Sequence, residues 1–163
     1  MSEAVKIDGL KQLSRELGNM SEALEAEVLK DLQRSGLSMK AEITKGYNRG
    51  PATGHPRPLT RSDGQNRSAG SRASAPGEAP MTDTGTLAGA TVFRETIGED
   101  LSVEIENRAK ANGEYYGALL EFGWGKEHLA RPLWRPVRDA EEPKLWKRVE
   151  KTLADGVRKG NRK

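Results

Sequence analysis

The chain has 163 residues, the size of one domain, and its 27 Lys and Arg against 24 Asp and Glu leave a net charge of +3. Leu, Ile, Val and Phe fill only 29 positions, fewer than a well-packed globular domain carries, while the small net charge removes the self-repulsion behind wholesale disorder. The absence of cysteine excludes a disulfide framework, thiolate metal sites and a cysteine nucleophile.

The opening MSEAVKIDGL has an acid at position 3 and no apolar run, so no signal peptide is expected. No stretch approaches the roughly 18 apolar residues of a membrane helix. The expectation is a protein made in a cytoplasm, with no membrane contact. Residues 8 to 45 read as a helix: Leu10, Leu13, Leu17, Met20, Leu24 and Val28 follow one another by three or four, and Leu32, Met39 and Ile43 stay in phase. Asp8 is a candidate N-cap, and Gly36 a break or kink.

Residues 46 to 81 contain six Gly, five Pro and five Arg, namely Arg49, Arg57, Arg61, Arg67 and Arg72, with no helical or strand period. A segment this long in a small domain reads as an extended loop ordered by a partner, its arginines making the contacts. Val103 and Ile105 alternate with Ser102, Glu104 and Glu106, and Thr91, Val92 and Phe93 supply a β-prone partner. An antiparallel hairpin follows, with its turn at Gly98, Glu99 and Asp100.

The stretch EYYGALLEFGWGKEHLARPLWRP, residues 114–136, holds five of the eight aromatic residues. It predicts a short helix over 114–122 placing Tyr115, Tyr116, Leu119 and Phe122 in the core, ended by Gly123 in the left-handed conformation. Arg131-Pro132 and Arg135-Pro136 predict an extended strap, since a residue before proline is steered from the helical region. The strap would project Leu133 and Trp134 and be fastened by a Glu121–Arg131 salt bridge. Trp124 and Trp134, with Arg131 and Arg135, are the expected interface residues, because aromatics and arginines are enriched in interface centres. A last helix over 137–158 turns Val137, Leu145, Val149 and Leu153 inward, with a start near Glu141 or a kink at Pro143. Residues 159–163 form a basic tail.

Signals for chemistry are weak. His55 and His128 lack metal-ligand spacing, and Glu127-His128 is a poor acid–base pair without a marked nucleophile. The glycines at 50, 54, 64 and 70 lack the Lys-Ser/Thr end of a phosphate loop. No enzyme, no cofactor and no metal are expected. The fold class is α+β, a single domain over 1–163: a small antiparallel sheet flanked by a long N-terminal and a C-terminal helix, with the Gly/Pro/Arg-rich loop between the first helix and the 82–158 region.

Two segments, SAPGEAPMTDTGTLAGA at 74–90 and YYGALLEFGWGKEHLARPLWRPVRDA at 115–140, carry DTG-x-L, EFG and ARP-x-x-RP in series. With Ile7-Asp8-Gly9-Leu10 at the start of the first helix, this order resembles the neck and tail-completion proteins of long-tailed bacteriophages. The resemblance implies a virion component without enzymatic activity: a six-fold ring of identical subunits at the head–tail junction. It also implies partners, the connector or head-closure proteins and the tail tube or tail terminator, with non-specific contact to DNA in the channel. On it, Thr84, Gly85, Leu87, Glu121, Phe122, Gly123, Pro132 and Pro136 are the structural positions. Gly85 is expected at positive φ in a turn where Asp83 or Thr84 bonds nearby amides. Trp124 departs from the small hydroxyl residue the family favours, and the 46–81 loop is longer than usual. The alternative is a nucleic-acid-binding accessory protein touching DNA backbone through its basic loop and tail. A hydrolase using Glu127 and His128 comes third.

Overall fold

The computed structural model describes residues 4–6, 22–49, 52–61, 64–67, 69–81, 83–96, 102–111, 113–124 and 129–160. Strand β1 (Ala4–Lys6) precedes the long helix α1 (Glu22–Arg49). After the loop come a one-turn helix α2 (Thr86–Gly89) and strands β2 (Thr91–Thr96) and β3 (Ser102–Asn107). Two-residue strands β4 (Lys110–Ala111) and β5 (Glu114–Tyr115), a short helix α3 (Tyr116–Phe122) and the long helix α4 (Trp134–Gly160) complete the chain. The architecture is the expected α+β one, an antiparallel sheet with a long helix from each end of the chain.

The sheet has the order β1-β3-β2. β2 and β3 form the expected hairpin, with Phe93 opposite Ile105 and Thr91 opposite Asn107. β1, which pairs with β3 through Val5 and Ile105, was not legible, since three residues carry no period. The hairpin turn at 98–100 lies outside the described residues.

The stripe of α1 is buried as its spacing predicts: Leu24, Val28, Leu32, Met39 and Ile43 all face inward. The helix runs past its expected end at 45, which brings Tyr47, expected in the loop, into the core. Residues 8–21, including Asp8 and the first four apolar positions, lie outside the described residues. Gly36 neither breaks nor ends the helix, which runs on to Arg49. Its missing side chain serves packing instead: a Cβ there would overlap Val103 Cγ1 and the Phe93 ring. Gly46 does the same for Leu133. Two glycines therefore let the sheet and the start of α4 approach the α1 backbone.

α4 lies antiparallel to α1. Gly156 sits at Leu24, Thr152 Oγ1 donates to Asp31 at 2.7 Å, and Arg148 donates to Ser35 Oγ. Leu145 and Val149 join Val28, Leu32 and Val103 in one core cluster, and Trp134, Leu133, Met39, Ile43, Tyr47 and Ile105 make another. The partly buried Phe93 packs against both. The helix begins at Trp134, three residues earlier than expected, and passes through Pro143. The Arg135-Pro136 step thus belongs to its first turn, where a missing N–H costs nothing.

Candidate functional site

Two constructions account for the residues that the sequence singles out. The first is the corner where α3 meets the start of α4. An α-helix leaves its first four N–H groups without intrahelical acceptors. In α4 these belong to Leu133, Trp134, Arg135 and Pro136. Glu121, 1% exposed at the end of α3, accepts the first three: Oε2 from Leu133 at 2.7 Å and Trp134 at 3.0 Å, Oε1 from Arg135 at 2.9 Å. Pro136 has no N–H to satisfy. One carboxylate from a distant turn thus closes the helix end, and its charge complements the positive end of the helix dipole.

The expected Glu121–Arg131 salt bridge is therefore replaced. Glu121 pairs with Arg135 at 3.5 Å, while Arg131 Nε donates to the Ser74 carbonyl at 3.2 Å. The Arg131 N–H reaches Leu120 O at 2.7 Å, and Gly77 N–H reaches Ala130 O at 2.8 Å. The strap, now only Leu129 to Leu133, is tied to α3 on one side and to the loop on the other. Its Pro132 precedes a buried Leu133.

Side-chain placement also departs from expectation. Leu133 and Trp134 are core residues rather than interface ones. Trp134 is 3% exposed, with Nε1 donating to Tyr47 Oη at 2.7 Å. Phe122, expected in the core, is 57% exposed with the Arg135 guanidinium 5.0 Å above its ring, and Trp124 is 53% exposed. Leu133 and Trp134 turn inward because α4 begins three residues early, so the extended strap expected to project them ends before Trp134. Gly123 does take positive φ, at 72°, but with ψ 170° it is extended rather than left-handed helical.

The second construction is the loop, which pairs with itself. Pro56 bridges Arg72 and Thr60 bridges Asn66, with Gly54 N–H to Ala73 O, Arg57 N–H to Ser71 O and Arg67 N–H to Leu59 O at 2.7–2.8 Å. Glu78 ties its two ends, taking the Ala75 N–H at 2.7 Å and the Thr53 hydroxyl. Those hydrogen bonds, Thr53's foremost, hold its carboxyl below the usual value.

Asp83 fastens the hairpin. Arg67 grips both its oxygens, Nε at 2.8 Å from Oδ1, and Arg57 and Arg61 approach within 3.2 and 3.5 Å. Arg57 also donates to Met81 O, Arg61 to Asp83 O, and Arg67 to Pro58 O and Thr60 O. The Arg67 hydrogen bonds lower the Asp83 pKa against the opposing effect of partial burial, and the charges of Arg57 and Arg61 add to them.

Three of the five arginines expected at a partner thus face inward. Arg72 makes one long bond, 3.4 Å to Thr53 O, and the Arg49 side chain lies outside the described residues. Asp83 binds these arginines rather than nearby amides, and Thr84 Oγ1 meets Thr86 Oγ1 at 2.6 Å. Gly85 has the expected positive φ, 81°, but opens α2 rather than a strand; Leu87 of α2 is buried, and its carbonyl accepts from Thr91 and Asn107. Asp83 follows the arginine-rich loop by two residues, but Asp63 and Glu78 inside the loop were equally near candidates in sequence. Glu121 was expected to fasten the strap, but nothing in EFG names the three N–H groups that donate to it.

Among the described residues, no group of three or more His, Asp or Glu could hold a metal ion, and no helix is long and apolar enough to cross a membrane. Glu127 and His128 lie outside the described residues. What this region offers is surface: Phe122, Trp124 and Leu129 are exposed, and the Arg135 guanidinium lies over Phe122. A groove of about 410 Å³ between α1 and the start of α4 is lined by Met39, Ala79, Pro136, Val137 and Ala140 and by the charged Glu42, Glu141 and Lys144. No family model, curated protein or solved structure matches the chain.

Proposed function

We propose that this chain is a structural joining protein of a long-tailed phage, acting at the head–tail junction as a neck or tail-completion component. The observation that carries the reading is the coupling of the segments behind the resemblance. The glutamate of EFG holds the backbone of the LWR within ARPLWRP, and the aspartate of DTG holds the loop. These residues make a rigid corner and a pinned hairpin, which suits a part whose work is to present fixed surfaces to neighbours. The exposed Phe122, with Arg135 over its ring, and the exposed Trp124 offer the aromatic contacts of such surfaces.

Mechanism at such a junction is geometric: repeated subunits offer a symmetric platform to the connector on one side and the tail tube on the other. The nucleic-acid alternative loses most of its loop, since Arg57, Arg61 and Arg67 are held by Asp83. Among the described residues, the exposed Arg72 of the loop and the exposed Lys147 and Lys151 of α4 still support it.

The test is immunogold labelling of virions produced from a genome encoding this chain, beside a deletion of its gene. Label at the junction, with unjoined heads and tails after deletion, is the expected result. Label elsewhere, or normal joining without the protein, overturns the role.

A further inference from the structure

The two long helices carry the core in two halves. Val28, Leu32, Leu145 and Val149 cluster with Val103, while Met39, Ile43, Tyr47, Leu133 and Trp134 belong to the other cluster. The two share no fully buried residue among those described, and the partly buried Phe93 packs against both.

A polar seam runs along the division. On α4 the inward stripe reads Val137, Glu141, Leu145, so a buried carboxylate takes an apolar place in the period. On α1 Ser35, 0% exposed, comes between Leu32 and Met39. Arg148 joins the two, donating to Ser35 Oγ and to Glu141 Oε1 at 2.8 Å. Its Nε is also buried and meets no acceptor among the described residues. An unsatisfied buried donor is unfavourable, and a buried ion pair adds little net stability once desolvation is counted.

Both helices are weakest at this same level. Pro143 lacks the N–H that would bond the Asp139 carbonyl. The helices run antiparallel, with Gly46 at Leu133 and Gly156 at Leu24, which sets Ser35-Gly36 of α1 against the turn holding Pro143. Prolines and glycine–serine pairs are the places where helices kink.

We infer that Ser35-Gly36 and Pro143 form a break line, beyond which residues 22–34 and 144–160 open and close together by local unfolding. Opening parts Leu145 and Val149 from Val103 and breaks the Thr152–Asp31 hydrogen bond. The near half keeps the Glu121 cap and the Tyr47–Trp134 bond. The molecule thus has one fixed end and one movable end, whatever becomes of the junction role.

The test is native-state hydrogen exchange of the full chain across sub-denaturing urea, with reclosing faster than exchange. Amides of 26–34 and 146–156 are expected to share one protection level, about tenfold or more below that of 38–47, with a step at the break line. A single level across both halves overturns the unit, as does a smooth gradient running inward from residue 160, the mark of simple end fraying. Ile43→Val loosens only the near half, where Ile43 is fully buried. It is expected to lower protection at 38–47 by roughly two- to tenfold and to leave the far half unchanged, because Ile43 stays packed when that half opens. An equal fall in both halves overturns the unit. The double substitution Glu141→Leu/Arg148→Met makes the seam apolar and is expected to raise the far half's protection; an unchanged step overturns the role of the seam. Should that variant fail to fold, the Ile43→Val comparison still decides.

Discussion

The indole N–H of Trp134 donates to the hydroxyl of Tyr47 at 2.7 Å, in the core, across 87 positions of sequence. This bond joins the last turn of α1 to the first turn of α4. Both side chains are nearly inaccessible, so neither polar tip can turn to water. Tyr47→Phe keeps the ring but strands a buried indole N–H, which costs about 1–3 kcal/mol. For a chain of this length each kcal/mol lowers the melting temperature by roughly 2–4 °C. Thermal melting of the variant is expected to fall accordingly; an unchanged midpoint would remove the bond from the account.

Glu121 carries more than Tyr47. Its replacement by alanine leaves three buried N–H groups at the start of α4 without acceptors. The expected loss is on the order of 3 kcal/mol, combining a lost cap with unsatisfied buried donors. Glu121→Gln retains one acceptor oxygen and should fall between. Charge reversal at Arg131, which meets only one carbonyl through its side chain, should cost less than either. Urea unfolding of the three variants gives the order, and an Arg131 variant weaker than the Glu121→Ala one contradicts it.

Gly36 sets two effects against each other. Alanine is favoured over glycine in a helix interior by about 1 kcal/mol. Here its methyl would overlap Val103 and Phe93, and forcing a group into a packed core costs about 1–3 kcal/mol. Overlap wins, so Gly36→Ala is expected to destabilise. A raised melting point would mean that the sheet moves away from α1 at little cost.

Asp83 makes the loop sensitive to acid. Folding lowers its pKa from an ordinary 3.8, through the Arg67 hydrogen bonds first and then the nearby arginine charges, against partial burial. The unfolded chain therefore binds the proton more readily, and the stabilisation is present above 3.8 and lost as the pH falls toward the folded value. Loop amides such as those of Arg57 and Arg67 should lose hydrogen-exchange protection in that window, once the intrinsic pH dependence is removed.

Asp83→Asn should reproduce this loosening at neutral pH. Trypsin cleavage after Arg61 or Arg67 is expected to rise about tenfold, the effect of ~1.4 kcal/mol of local opening. Equal cleavage of variant and wild type would show that the hairpin stands without its aspartate.

Local pattern determined much of this protein. The spacing of Leu24, Val28, Leu32, Met39 and Ile43 defined α1 and its buried face, and the alternation around Val103 and Ile105 defined the hairpin, because both periods follow from backbone geometry alone. Gly85 and Gly123 announced positive φ for the same reason.

Tertiary structure decided the rest. The burial of Trp134 goes with where α4 starts, and that start is closed by a carboxylate twelve residues upstream from Leu133. The 46–81 loop read as ordered by an outside partner because the acceptor of three of its arginines, Asp83, lies beyond its end. Hydrogen bonds and ion pairs between distant positions have no period, so only the folded chain shows which donor meets which acceptor.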